Sequence, residues 1–517
     1  MYAKAISGAV MGITASLIEV QCDVSRGLPG FKIVGLPEKE VQESRERIRS
    51  AIKNTGLEFP IKRITANLAP ADLRKAGVGL DLPIALSILE ATGQIPEGRL
   101  ERCLLIGELS LDGSLRPVRG ALPVALAAVE AEDLDGIVLP MGNANEAAVV
   151  SELSVYPVGN LGEAIAFLSG DLDREPFRFD FRHYLQAEIK YDHDFEEIKG
   201  QEQAKRALEV AAAGGHHILL IGPPGSGKSM LAKRLPSILP DLSFAEAVEV
   251  SQIYSICGRL TDDSPIIDRR QFRAPHHTIS YAGMVGGGAG NPSPGEISLA
   301  HHSVLFLDEL PEFGRHVLET LRQPIEDRLI TVSRAGASAT FPADFTLVAA
   351  MNPCPCGYLS DPRRRCVCSP YEIKRYRKKI SGPLLDRIDI FIEVPRLTQE
   401  ELMHKRTGEP SSGIRERVNR ARQIQRERFQ RMKVTVHTNA GMGVREIERI
   451  CVLDKAGERL LESAIDHFSL SARAYHRVLK VARTIADLDG AEQIRDAHLA
   501  EAIQYRGSEA SLVGFRR

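Results

Sequence analysis

The chain's 517 residues exceed one ordinary domain, and 43% hydrophobic against 26% charged residues describe a globular protein able to bury large cores. A net charge of −2 excludes a globally basic nucleic-acid binder, so any such surface must be local. No apolar run approaches the ~18 residues that span a bilayer, and eight cysteines, four clustered and four scattered, make no disulfide framework, which points to a reducing cytoplasm.

The opening MYAKAISGAVMGITASLIEV lacks the charged start and cleavage site of a signal peptide and reads as a pair of β-strands. Alternating residues 15–24 and 31–34 predict half-buried strands, and 40–54 a charged amphipathic helix. A helix at 84–93, a turn at Asp112-Gly113, a helix at 121–131 and a strand at 136–139 follow. This order, over residues 1–170, resembles the Lon-protease-like domain of the ribosomal-S5 fold. The resemblance implies a serine–lysine dyad. Here the loop that should offer the serine reads Gly77-Val-Gly79, and the stretch that should offer the lysine reads Arg119-Gly-Ala-Leu-Pro123. A proteolytically inactive domain is expected. Lys75 and Asp81 read either as a binding pair or as capping and loop-packing residues. Residues 171–196 mix charge and aromatics without a core period and read as a linker.

The next block, 197–396, is a predicted nucleotide-binding core. The apolar run Ile218–Ile221 leads into Gly222-Pro223-Pro224-Gly225-Ser226-Gly227-Lys228-Ser229-Met230 and then a helical segment. G-x-x-x-x-G-K-[ST] between strand and helix is a P-loop. Glycines let the backbone aim several N–H groups at a polyphosphate, and the helix start adds partial positive charge. Lys228 would reach the β/γ-phosphates of ATP, and the Ser229 hydroxyl would hold Mg²⁺. A second apolar strand, 304–307, ends in Asp308-Glu309. Asp308 is placed on the Mg²⁺ shell and Glu309 on the attacking water. A third, 346–351, ends in Asn352.

Between the P-loop and Asp308 lies an insert with RAPHHTISYAGMVGGGAGNPSPGE at 273–296. So many glycines exclude a long regular helix and imply an exposed, mobile loop. His276 and His277 read as paired metal ligands or, with His301 and His302, as a packing seam around it. This insert, PGEISLAHHSVLFLDELPEF and NPCPCG, together with the P-loop, resemble the magnesium-chelatase-like AAA+ family over essentially the whole chain. The resemblance implies a hexameric ring ATPase. It places Ile198 and Gly200 beside the adenine and Asn352 on the γ-phosphate or the water. It makes Arg387, in Leu-Leu-Asp386-Arg387-Ile-Asp389, an arginine finger for the neighbouring subunit's ATP. A cis salt bridge to Asp386 or Asp389 is the other reading of Arg387. Residues 329–341 read as two strands about Arg334-Ala-Gly. In the resemblance this is a pore hairpin, with Arg334 at its tip meeting DNA phosphate.

Cys354, Cys356, Cys366 and Cys368 make C-x-C…C-x-C. Four thiolates can close one tetrahedral Zn²⁺ site, although C-x-C is tighter than the usual spacing; four reduced thiols in a proline-rich turn are the alternative. Arg363, Arg364, Arg365 and the basic run 374–379, interleaved with Tyr371 and Tyr376, suit a DNA backbone with stacking on bases, or a solvated basic face. Residues 397–517 read as a helical lid with helices at 399–405, 414–431, 456–468 and 474–488, and a mobile tail from 507. Here the resemblance makes Arg473 the residue that touches the γ-phosphate, with Arg477 in reserve. The combined reading is an ATP-dependent DNA motor, a helicase or branch-migration translocase. The resemblance implies a role in recombination of incoming DNA during natural transformation. The rivals are a chelatase-type motor subunit for metal insertion and a protein-remodelling ATPase. The chain has no D-x-S-x-S metal-adhesion motif.

Overall fold

The computed structural model describes the chain except residues 74, 76–78, 132, 181–190, 289–291, 335–336, 360, 400, 402–407, 469 and 514–517. The predicted opening strand pair forms. Tyr2–Met11 and Thr14–Ser25 run antiparallel, from Tyr2↔Asp23 to Met11↔Thr14. Ala3, Ala5, Ser7 and Ala9 alternate into the core, as a period of two requires. These strands seed a seven-stranded sheet in the order Gly30–Val34, Arg63–Ala69, Thr14–Ser25, Tyr2–Met11, Cys103–Leu105, Gly136–Pro140, Val155–Val158. Helices Lys39–Asn54 and Asp81–Ala91 share one core with it. Ala121–Val129 belongs to a second core, which also takes in Ala247, Val250 and Ile253 from the helix Phe244–Ile256. The N-terminal sheet is therefore docked on the nucleotide-binding half.

Lys75 and Asp81 have packing roles. Asp81 takes Arg47 Nε at 2.9 Å and the Leu109 N–H at 3.2 Å. Burial pushes its carboxyl up to about 6, against the pull of Arg47. Lys75 is fully buried, with its ammonium on the Pro70 carbonyl. Gly77 and Val78 of the loop that should carry a serine lie outside the described residues. The expected linker is anchored at both ends. Phe177 bridges Val155, and Phe195 is fully buried with its N–H on Ser411 Oγ at 2.8 Å.

The second sheet is parallel, with five strands in the order Phe272–Arg273, Val304–Leu307, Thr346–Met351, Ile218–Ile221, Ile390–Glu393. Its strands are continuous apolar runs because both faces are covered. Leu220, Phe306, Ala350 and Ile392 face the core that contains the helix Glu202–Gly214. Leu219, Leu305, Ala349 and Phe391 face the opposite core. The lid helices appear as Ser411–Met432, Lys455–Phe468 and Ala472–Leu488. Val478, Val481 and Ile485 share the core with Leu220 and Phe306, so the lid packs onto the sheet's own hydrophobic layer. Of the helix expected at 399–405, all but residues 399 and 401 lie outside the described residues. The tail expected to be mobile from 507 continues as helix to Val513.

Candidate nucleotide site

The strand Ile218–Ile221 is buried throughout and delivers the chain to Gly222, whose N–H bonds the Met351 carbonyl at 3.2 Å. A Cβ on Gly222 would lie 2.2 Å from the Val394 carbonyl oxygen, so no side chain fits there. Gly225 and Gly227 adopt φ of 75° and 93°, a region that glycine enters without cost. They turn the loop so that the helix Lys228–Arg234 starts beneath it. Lys228 Nζ donates to the carbonyls of Gly222 at 2.8 Å and Pro223 at 3.0 Å, and to Asn352 Oδ1 at 3.3 Å. Burial pushes its amine down, while Asp308 and Glu309 pull it up. Ser229 Oγ donates to Asp308 Oδ2 at 2.6 Å.

These groups border a cleft of about 360 Å³, lined by Pro224 to Met230, Asp308, Glu309, Met351 and Asn352. A hydroxyl and a carboxylate side by side suit a hard divalent cation. Glu309 holds φ of 52°, uncommon for a residue with a side chain. Its N–H bonds Asp308 Oδ1 at 2.9 Å, and its carboxylate lies 3.4 Å from His277 Nδ1.

Other expected residues lie elsewhere. Ile198 is buried in the hydrophobic core, and Gly200 packs on Leu397. Their neighbour Gln201, which the sequence did not single out, reaches Pro395 O at 2.6 Å and Ser226 O at 3.4 Å, tying this segment to the P-loop. Arg387 pairs with Glu326 at 2.7 Å and donates to Pro383 O at 2.7 Å, so its acidic partner is neither Asp386 nor Asp389. Its Nε has no hydrogen-bond partner among the described residues. Arg473 is exposed, and Arg477 one turn on is paired with Asp389. Asp389 precedes the strand Ile390–Glu393, at the edge where the parallel strands begin. The P-loop leaves from the other edge, a four-residue strand or about 13 Å away. Arg473 and Arg477 therefore lie away from the phosphate cleft of their own chain.

The glycine-rich insert is not simply an exposed loop. Arg273 and Glu296 close its base at 2.7 and 2.6 Å, and Met284 and Val285 are buried. Its histidines form two stacks rather than one seam. His276 and His277 stack at 4.1 Å beside Glu309, and His301 and His302 stack at 3.9 Å on Glu249. The second stack has the ligand atoms of a metal site. His301 Nδ1, however, accepts the Asp344 N–H at 3.1 Å, which places the ring proton on Nε2 toward Glu249. A nitrogen that donates its proton cannot ligate. The strands Leu329–Arg334 and Ala337–Pro342 pair as the expected hairpin, with Arg334↔Ala337 at the open end.

The four clustered cysteines come together, with ligand atoms all within 4.8 Å. Arg363, Arg364 and Arg365 are exposed on the loop between them. Tyr371 is exposed, but Tyr376 is buried and its hydroxyl takes the Asn352 N–H, so it cannot stack on a base. Among the described residues no helix is long and apolar enough to cross a membrane.

The family model "Magnesium chelatase, subunit ChlI" matches residues 194–402. "Subunit ChlI of Mg-chelatase" matches 20–143, and "Magnesium chelatase, subunit ChlI C-terminal" matches 408–506. The competence protein ComM of Haemophilus influenzae is 46% identical over 97% of this chain and 96% of its own. The YifB protein of Salmonella typhimurium is 44% identical over 98% of both. Lon protease 2 of Bacillus subtilis is 28% identical over 34% of this chain and 35% of its own. A parallel P-loop sheet, a helical C-terminal region and near full-length identity agree: the chain belongs to the magnesium-chelatase-like ComM/YifB family of AAA+ proteins.

Proposed function

We propose that this chain is an ATP hydrolase that works as a hexameric DNA motor, a helicase or branch-migration translocase in the recombination of incoming DNA. The observation that carries the ATPase half is the convergence of Lys228, Ser229, Asp308, Glu309 and Asn352 on one cleft. Lys228 binds and neutralises the β/γ-phosphates. Ser229 and Asp308 hold Mg²⁺, which spreads the negative charge of the phosphates when bound. Glu309 polarises the attacking water, and Asn352 orients it. Arg387 and Arg473 lie away from their own cleft, so they serve a nucleotide only across a subunit interface. The DNA half is supported by the identity to a competence protein. It is also supported by the exposed Arg363, Arg364 and Arg365, and by the position of Arg334 at the hairpin end.

In this reading residues 1–170 are a proteolytically inactive Lon-like domain, 171–196 a connector, 197–396 the ATPase core and 397–517 the lid. The family descriptions favour one rival, a chelatase-type motor subunit. The test is ATP turnover with and without single-stranded and branched DNA, using Glu309→Gln and Arg334→Ala. Stimulation by DNA that is lost in Arg334→Ala supports the motor. Turnover indifferent to DNA, with stimulation by a partner protein, supports the rival.

A further inference from the structure

We infer that Cys354, Cys356, Cys366 and Cys368 form a tetrathiolate zinc centre that braces both Asn352 and the P-loop for nucleotide binding. Sγ of Cys354 lies 3.4 Å from Cys356 and 3.7 Å from Cys366, and Cys356 lies 3.6 Å from Cys366. Zinc–sulfur bonds of about 2.3 Å in a tetrahedron set sulfurs about 3.8 Å apart. Sulfurs this close enclose one ion and leave no room for a multi-iron cluster. A backbone N–H aims at them, as thiolates require: that of Cys356 at Cys368 Sγ, 3.3 Å away. No His or carboxylate opens the set, so the centre is closed and structural.

The loop also needs a support that its composition does not supply. Between the strand ending at Met351 and the helix starting at Pro370 its described residues form no helix or strand. It exposes three consecutive arginines, and its Val367 is 84% exposed.

The loop touches the phosphate cleft at two points. Its first cysteine, Cys354, follows Asn352 by two residues. Gly357, at φ 84°, lies so close to the P-loop that a Cβ there would be 2.5 Å from Pro224 Cδ and 3.7 Å from Asn352 Cγ. Asp361 holds Arg396 at 3.0 Å, and Arg396 donates to the Pro224 carbonyl at 3.2 Å. A zinc ion that fixes the loop therefore fixes the wall against which Pro224 and Asn352 rest.

This inference rests on the cleft being a nucleotide site, and the test separates the two. The full chain is purified under reducing conditions and assayed for metal content and for affinity toward a fluorescent ATP analogue. About one zinc per chain is expected, lost in Cys366→Ser/Cys368→Ser. Affinity should fall at least about fivefold in that variant and in wild type stripped by a thiol-reactive mercurial and chelator. Arg396→Gln, which leaves every thiol in place, should keep its zinc and still lose affinity. A wild-type protein that holds no zinc and gives no thiolate-to-metal absorption with Co²⁺ overturns the centre. Zinc loss with affinity unchanged overturns the brace. Wild type that carries zinc but binds no nucleotide overturns the nucleotide reading and the brace with it, and leaves the metal centre standing.

Discussion

Asp389→Asn should loosen the lid from the sheet. Asp389 is 2% exposed and sits at the start of the strand Ile390–Glu393. Its carboxylate pairs with Arg477 of the lid, takes the His217 N–H at 3.1 Å and lies 3.4 Å from His216 Nδ1. Burial alone would push this carboxyl up; Arg477 and His216 hold it well below the usual range. Asparagine keeps the shape and can still accept the His217 N–H, but leaves Arg477 without its counter-charge. Removing one member of a buried pair costs ~3–5 kcal/mol. The Arg477 side chain keeps 17% exposure, so the lower end applies. About 3 kcal/mol corresponds to a roughly hundredfold loss of protection for amides that exchange by lid opening. Hydrogen exchange of peptides from Ala472–Leu488 reads this directly, with Lys39–Asn54 in the N-terminal sheet as the internal control. A folded-state pKa below the unfolded value of ~3.9 gives stability that is full above that pH and lost as pH falls through the folded value. The difference between wild type and variant should thus be constant from pH 7 to 8, above the titration of His216 and His217, whose charged forms Asp389 also favours. Lid exchange within twofold of wild type would show that Arg477 and Asp389 do not clamp the lid.

Glu309→Gln should retain nucleotide affinity and lose about 10²–10⁴ in turnover, read by single-turnover hydrolysis beside equilibrium binding. His277→Ala removes the 3.4 Å contact to Glu309, whose side chain is 56% exposed. A contact this exposed is worth at most ~1 kcal/mol, so turnover should fall about fivefold or less with nucleotide affinity unchanged. Equal losses in both would assign His277 to binding. His217 Nδ1 accepts the Leu347 N–H at 3.0 Å, and burial holds its pKa at about 4. The unfolded ring takes a proton near pH 6.5 and the folded ring does not, so stability is full above that pH and declines toward pH 4. At pH 5 the loss is at most about 2 kcal/mol. Urea unfolding at pH 7 and pH 5 measures it, and His217→Gln should flatten the dependence.

The parts of the site that were legible are those fixed by short-range rules. Gly222 to Ser229 read as a phosphate loop because the preceding four residues are wholly apolar and the loop carries glycine where the backbone turns left-handed. Asp308, Glu309 and Asn352 were legible because each ends an apolar run, and parallel strands bring their C-terminal ends together. His277 beside Glu309, Gln201 on Ser226 and Tyr376 under Asn352 join residues distant in sequence, and no local period marks them. The place of Arg473 is illegible for the same reason. Its helix was found to within two residues, but where that helix docks depends on Arg477 meeting Asp389. The same holds for Phe195, which sits in a polar stretch and is nevertheless fully buried against the lid side.

The two edges of the parallel sheet carry opposite chemistry. Where the strands end, Lys228, Ser229, Asp308, Glu309 and Asn352 surround a cleft that contains a single cationic side chain. Where they begin, Arg477 and Lys480 border a cavity of about 920 Å³ with Arg422 and Arg328, and acids are interspersed among them. A phosphoryl group in transfer spreads charge over three oxygens. One lysine is a thin complement for it, and Arg477 stands at the other edge of the same chain, in a cavity whose lining has as many acids as cations. Arg387 is held by Glu326, and its Nε has no hydrogen-bond partner among the described residues. An arginine presented by one copy to the phosphate-binding edge of the next would complete the complement. Head-to-tail contacts between unlike edges close into rings when the rotation permits. The proposed ring would use the same separation, which keeps Arg387 and Arg473 away from their own cleft.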